Sequence, residues 1–381
     1  MSPNPPTFRI HRVSNHGELC RFADALHAAA LREPAAVPPN RLLLRARLAG
    51  AFRSGLTLFY AEAGGTVRGT LGVRIDARHD AVQGERVAFF GFYEIAPGPG
   101  ASATSRALLH EARRVARAAG ADVLRGPRNF SRIEEIGVTV EGHHRTPPFL
   151  AGHHPERYAE LLLESGLRPH YDVLAYETPL VDEEGEPREL PRRLRVASER
   201  AKRRIEGLVV RDASRLHLVR DLRLAHRVFV EGFRDVPENT PMPLAQWLAV
   251  GLPMLAVTDP RMLQIATVHG EPVGFALCFA ELNEALAGMA GSSSPMAWLR
   301  FAAGLRRKQT ASFKLLGVLP RYRGTGLHAR LIAGAIDGCQ RAGYQRLEAS
   351  LVDARNTASR KVVEGAGMRS YRRYRVFEGG V

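Results

Sequence analysis

Cysteine is nearly absent from this chain: Cys20, Cys278 and Cys339 are the only three in 381 residues, and they lie far apart. So few cannot build a disulfide framework, nor complete a four-ligand zinc site by themselves. Long apolar runs are missing too. No charge-free run of ~18 or more apolar residues occurs, which excludes a transmembrane helix. The opening segment MSPNPPTFRIHRVS has no apolar stretch of the kind a signal peptide needs, so a cytoplasmic protein is expected. Lysine is scarce as well. Lys202, Lys308, Lys314 and Lys361 are the only lysines among 54 Lys+Arg, so the net charge of +15 is almost wholly arginine. An arginine excess beside abundant Ala, Gly and Pro is what a GC-rich genome writes without selection for nucleic acid. The charge alone therefore does not call for a nucleic-acid partner.

What is present is a length of ~2–3 domains and an average globular composition, 45% hydrophobic and 24% charged. Two α/β segments are expected at 1–180 and 205–381, joined by a charged connector at 181–204. In the first, β-branched and aromatic density predicts strands at Leu56–Ala63, Thr70–Ile75, Val87–Ile95, Ala121–Arg125 and Asp172–Glu177. A helix is predicted where Ala107, Leu108, Glu111, Ala112, Val115 and Ala119 recur at three- and four-residue spacing before Gly120. The connector begins acidic (Asp182, Glu183, Glu184) and turns basic (Arg192 to Arg204), the pattern of an exposed helix or linker. The second segment repeats the plan. Strand Leu208–Asp212 leads into helices Ser214–Phe233 and Leu244–Leu252, then strands Gln264–His269 and Val273–Phe279. An irregular stretch around Gly291–Pro295 follows. Strand Ser312–Val318, helix Thr325–Ala342, strand Gln345–Val352, helix Thr357–Glu364 and strand Ser370–Phe377 complete it.

The sharpest signal is Phe313-Lys-Leu-Leu-Gly-Val-Leu-Pro-Arg-Tyr-Arg-Gly-Thr-Gly-Leu-His-Ala-Arg330. A strand enters, Pro320 ends its ladder, and an Arg/Gly loop opens an amphipathic helix with Leu327, Leu331, Ala335 and Ile336 on its apolar stripe. Gly324 and Gly326 let the backbone turn sharply and bring several N–H groups to one point. The helix N-terminus adds positive potential, and Arg321 and Arg323 add charge, which makes a diphosphate cradle. Gly324-x-Gly326-x-x-Ala329 with Glu348 about twenty residues on also fits a dinucleotide fingerprint. That alternative fails on length, because only 33 residues follow Glu348. A Walker A loop is excluded, since no Gly-Lys-Ser/Thr occurs.

Val318-x-Pro320 followed by Arg321-x-x-Gly324-x-Gly326 resembles the acyl-CoA loop of the GNAT superfamily of N-acyltransferases. Asn356-x-x-Ser359, Glu364-Gly-Ala-Gly-Met368 and Tyr371-Arg-Arg-Tyr374 resemble its later motifs, and Phe90-Gly-Phe-Tyr-Glu94 with Gly126-Pro-Arg-Asn-Phe-Ser131 resembles a second, degenerate copy. The resemblance implies an α/β fold of tandem domains, each a mostly antiparallel splayed sheet flanked by helices. It implies acetyl-CoA as acyl donor and an amine as acceptor; from the residues themselves, which show no familiar metal-ligand spacing and no spanning run, neither a metal nor a membrane partner is expected. The donor's pantetheine would pair near Leu316 and Val318. Its diphosphate would lie on Arg321, Arg323, Gly324, Thr325, Gly326 and Leu327, with Asn356 also at the cofactor. Ala96–Thr104, the corresponding loop of the first segment, has two prolines and no arginine, and no acyl-CoA is expected there.

Direct attack of an amine on the thioester needs a base and benefits from an acid for the departing thiolate. Glu281 and Glu284, after the second hairpin strand, are the base candidates, with Glu231 behind them. The tyrosine that the family often supplies as acid is replaced by Val363, so Tyr374 is the substitute, beside Tyr322 and Tyr371. Two alternatives stay open. One is a non-catalytic acyl-CoA-binding scaffold, favoured by Val363. The other is a tRNA-dependent aminoacyltransferase whose RNA would meet the arginine-rich connector.

Overall fold

A computed structural model describes residues 8–130, 134–234, 236, 239, 240 and 242–381. Ser131, part of a motif noted above, lies outside them. The chain forms two compact units: Met1–Val173 with Asn283–Ala303 and Arg372–Val381, and Leu174–Leu282 with Gly304–Tyr371. These are not the two contiguous halves read from the sequence. The chain leaves the second unit at Leu282, returns after Ala303, and leaves it again for its last ten residues. The segment expected as a free connector is part of the second unit.

The first unit contains β1 (Arg9–Arg12), α1 (His16–Arg32), α2 (Arg41–Arg53), β2 (Thr57–Ala63), β3 (Thr66–Ile75), α3 (Ala77–Gln83) and β4 (Val87–Ile95). There follow α4 (Ala101–Ala118), β5 (Val123–Gly126), β6 (Val138–Glu141), α5 (Arg157–Glu164) and the start of β7 (Arg168–Pro179). The second holds α6 (Arg192–Arg204), β8 (Leu208–Asp212), α7 (Leu218–Gly232), α8 (Leu244–Ala256), β9 (Leu263–Val268) and β10 (Glu271–Ala280). The chain then gives the first unit α9 (Leu282–Ala287) and most of α10 (Pro295–Leu305). It returns with β11 (Thr310–Val318), α11 (Leu327–Arg341), β12 (Arg346–Asp353) and α12 (Thr357–Gly365), and ends in β13 (Arg369–Gly380).

Each unit has a mixed, mostly antiparallel sheet. In the first the order is β1-β2-β3-β4-β5-β13, with β6 also on β13; β4–β5 runs parallel and the pairs β1–β2, β2–β3, β3–β4, β5–β13 and β6–β13 run antiparallel. In the second it is β8-β9-β10-β11-β12, where β8–β9, β9–β10 and β10–β11 run antiparallel and β11–β12 parallel. The protein is thus an α/β protein built twice on one plan. The apolar repeat in α4 buries Leu108, Leu109, Ala112 and Ala116 against Phe59, Phe90, Leu162 and Phe377. Each such aromatic or leucine contributes about 1.5–3 kcal/mol by leaving water. In α11, Leu327, Leu331, Ile332, Ala335, Ile336 and Cys339 form the buried face.

The connector's basic half is α6, whose Leu194, Ser198 and Ala201 are buried while its arginines stay exposed. It is therefore a packed amphipathic helix rather than a solvated one. The irregular stretch before β11 contains α10, which begins at Pro295 with the Ser294 hydroxyl accepting from Ala297 N–H at 3.2 Å. That Ser-Pro start is an N-terminal helix signal legible in the sequence.

Candidate active site

Two strands that run parallel and then part create the central feature of the second unit. Among the described residues, β11 pairs with β12 from Thr310↔Arg346 to Phe313↔Ala349 and no further. Both strands continue, to Val318 and Asp353. On its other side β11 stays paired with β10, up to Gly274↔Val318. The edge of β11 from Lys314 to Val318 therefore borders an opening between the two strands. The polar backbone groups of such an edge can accept an extended, amide-containing ligand as an added strand would.

At the narrow end of this fork sits a buried polar cluster that sequence reasoning missed. Ser312 donates its hydroxyl to Glu348 Oε2. Lys314 Nζ lies 2.5 Å from Ser350 Oγ and 3.6 Å from Glu348 Oε2, and the Lys314 and Glu348 side chains are only 8% and 4% exposed. Burial pushes the Glu348 carboxyl above its usual range, while Lys314 and the neighbouring hydroxyls oppose the shift. The signal was in the alternation: Ser312 and Lys314 on one strand, Glu348 and Ser350 on the next, are polar residues two apart within apolar runs.

The wide end of the fork leads into the Arg/Gly loop. Leu319 N–H donates to Val273 C=O, and Pro320–Tyr322 make one 3-10 turn. Gly324 and Gly326 then take left-handed φ values of 76° and 94°. A Cβ on Gly324 would meet nothing within 4 Å, so the loop is open above it, whereas one on Gly326 would lie 2.6 Å from the Ala197 carbonyl of α6. Open space over turning glycines, followed by the first-turn amides of α11, suits a diphosphate. Thr325 Oγ1 donates to Tyr322 C=O at 2.7 Å and fixes the turn. Arg323 donates to the Gly232 carbonyl at the C-terminus of α7, at 2.7 Å. Arg321 pairs with Glu231 at 3.4 Å on the surface, both more than two-fifths exposed. Leu316 and Val318 lie on the fork edge and are half-buried.

The other sequence-predicted residues lie on several elements. Asn356 caps α12 by accepting from Ser359 N–H at 2.9 Å, and Val363 is buried on that helix. Glu281, 7% exposed, directly follows β10, and its N–H donates to Thr310 C=O at the closed end of the fork. Glu284 is exposed on α9 and Tyr374 is fully buried on β13, and both belong to the first unit. The loop belongs to the second unit. His153 and His154 are buried, and burial holds them at about 4 and about 3; Arg372 Nη2 lies 2.8 Å from His153 Nδ1. Among the described residues no group of three or more His, Cys, Asp or Glu could hold a metal ion. A separate cavity of about 490 Å³ borders α6, β8 and α11, where Arg341 is paired with Asp212 and Asp337.

The first unit repeats the fork and closes it. Among the described residues β4 and β5 pair only from Val87↔Val123 to Phe89↔Arg125, and Gly100 starts α4 at φ 93°, ψ −1°, matching Gly326 at 94° and −1°. Here Arg128 N–H donates to Phe90 C=O at 2.7 Å and Asn129 Oδ1 accepts from Phe92 N–H at 2.5 Å. A Cβ at Gly91 would lie 2.3 Å from Arg128 O. The chain itself thus occupies the edge that is open in the second unit.

Comparison with known proteins agrees with this geometry. Residues 236–368 match the model of the acetyltransferase (GNAT) family. The chain is 27% identical over 329 residues to the bacterial ceramide synthase of Caulobacter vibrioides, covering 84% of this chain and 83% of that one. It is 24% identical over 324 residues to Protein YghO of Escherichia coli, covering 84% and 80%. Its fold matches a tandem GNAT protein from the clavulanic acid biosynthesis pathway over 98% of both chains, at a TM-score of 0.55 and 14% identity. The family match thus covers about a third of the chain, within its second half, and the fold as a whole is similar to that of a tandem GNAT protein. No described helix is long and apolar enough to cross a membrane.

Proposed function

We propose that the protein transfers an acyl group from acyl-CoA to an amine, with the donor held in the second unit. The observation that carries this is the continuous path from the Gly324 loop along the open edge of β11 to the buried Lys314. Lys314 to Val318 spans about 13 Å at the usual strand rise. Arg323 and the amides from Gly324 to Leu327 would hold the diphosphate, with Arg321 adding charge. The edge at Leu316 and Val318 would pair with the two pantetheine amides, and the acyl end would then reach the narrow end of the fork. Acyl-CoA supplies a thioester, at whose carbonyl carbon the amine forms its new C–N bond as the C–S bond breaks. Lys314, held by Glu348 and Ser350, would stabilise the negative charge that develops there. Glu281 would take the proton the amine gives up.

Acetyl is the acyl group the family resemblance implies. The relative named bacterial ceramide synthase supports a longer acyl chain and the amino group of a long-chain base as acceptor, and we favour that pair. Calorimetry with acetyl-CoA and palmitoyl-CoA tests the reading on the wild type, Gly324→Glu and Gly326→Glu. Micromolar binding, tighter for the long chain and abolished by either glutamate with folding intact, is expected. Failure of the wild type to bind either thioester would overturn it.

A further inference from the structure

The helix α10, Pro-Met-Ala-Trp-Leu-Arg-Phe-Ala-Ala-Gly-Leu, is apolar on nearly every side, yet only Ala297 is buried. Met296, Trp298 and Leu299 are 56%, 45% and 64% exposed. An apolar helix of this kind is ordinarily either buried or in lipid. At eleven residues it is about 16 Å long, too short for a hydrocarbon core of about 30 Å. A second apolar element stands beside its approach. Asn40 caps α2 by accepting from Leu43 N–H at 3.2 Å, and its Nδ2 donates to Ser292 O at 3.1 Å and Ser293 Oγ at 2.9 Å. Gly291 packs so tightly on this segment that a Cβ would lie 2.2 Å from the His27 ring and 2.9 Å from Pro39 O. These contacts bring the first turn of α2, with Leu42 62% and Leu43 54% exposed, to the turn that starts α10. Neither helix contains Asp or Glu. Arg41 and Arg300 are exposed on them, and Arg306 and Arg307 follow α10 in sequence.

We propose that α10 and the first turn of α2 form a face that docks on an anionic lipid bilayer. A Trp-bearing apolar helix lies in the interface plane, with its apolar side chains in the headgroup region and arginines at the phosphates. Exposed arginines on two helices that carry no carboxylate of their own favour an anionic surface over a neutral one or a second copy of this cationic chain. The sequence excluded a spanning helix; a helix lying on the surface is a different structure, and its exposure shows only in the fold. Docking does not depend on acyl transfer in the second unit.

The test is co-sedimentation of the full chain with phosphatidylcholine vesicles, with and without phosphatidylglycerol, together with tryptophan emission. The chain has two tryptophans, and Trp247 is buried, so a change of emission reports Trp298. Binding to the anionic vesicles with a blue shift, weakened by high salt and at least tenfold by Leu299→Ser/Met296→Ser at unchanged thermal stability, is expected. Trp298→Tyr should bind with little loss but no blue shift. Equal binding by wild type and double variant, or no anionic preference, would overturn the proposal. So would a concentration-dependent dimer lost in the double variant without vesicle binding, which would make the face a self-association surface.

Discussion

Lys314 is the residue whose removal should separate chemistry from binding. Its Nζ is held by Ser350 at 2.5 Å and by Glu348 at 3.6 Å, so it is preorganised where charge would develop on the acyl donor. Lys314→Met should lower kcat by roughly 10²-fold or more, the range seen when one preorganised stabilising group is lost. Binding of acyl-CoA, which rests on the loop and the strand edge, should change little. Lys314→Arg should recover part of the rate. Burial already pushes Glu348 towards its protonated form, so loss of the cation lets that carboxyl take a proton instead of remaining a lone buried charge. Steady-state kinetics beside calorimetry checks both halves, and an unchanged kcat for Lys314→Met would remove it from the mechanism. The loop glycines were legible as turning residues from spacing alone. Lys314 was not, because its partners Glu348 and Ser350 lie 34 and 36 residues away on a strand whose register the sequence does not state.

At the scale of elements, the packing of α6 on α11 gives the two loop glycines different burdens. Gly324 needs only its left-handed φ of 76°, while Gly326 needs φ 94° and close approach to Ala197 O. Gly324→Ala should cost about 1–2 kcal/mol for the left-handed backbone. Gly326→Ala should cost more, adding the displacement of α6, and chemical denaturation of the two variants should rank them in that order. Most strands and long helices were readable within a few residues, because apolar alternation and three-to-four spacing are local. The role of α6 was not: its charge run reads as solvated, and only the placement of Leu194, Ser198 and Ala201 against a neighbour makes it a packed helix. α10 escaped for the converse reason. Its apolar letters suit a core segment, and nothing local says that they stay exposed.

At the scale of the molecule, the last ten residues belong to the first unit. Phe377 pairs with Gly126, Tyr374 with Thr139, and both side chains are buried there. Deleting Arg372–Val381 should therefore strip amide-exchange protection from β5 and β6 while leaving β9 and β10 protected. Loss spread evenly over both units would contradict the division. The sequence by itself determined the α/β class, the duplicated plan, the Arg/Gly turn that opens α11 and the absence of arginine from the corresponding loop of the first copy, since each is written in short-range pattern. Tertiary structure alone decided that one fork is open and the other filled by Arg128 and Asn129, that Lys314 meets Glu348, and that α10 lies bare beside α2. Those facts depend on which distant segments pair, and pairing follows from burying the whole chain's apolar surface at once rather than from any window of it.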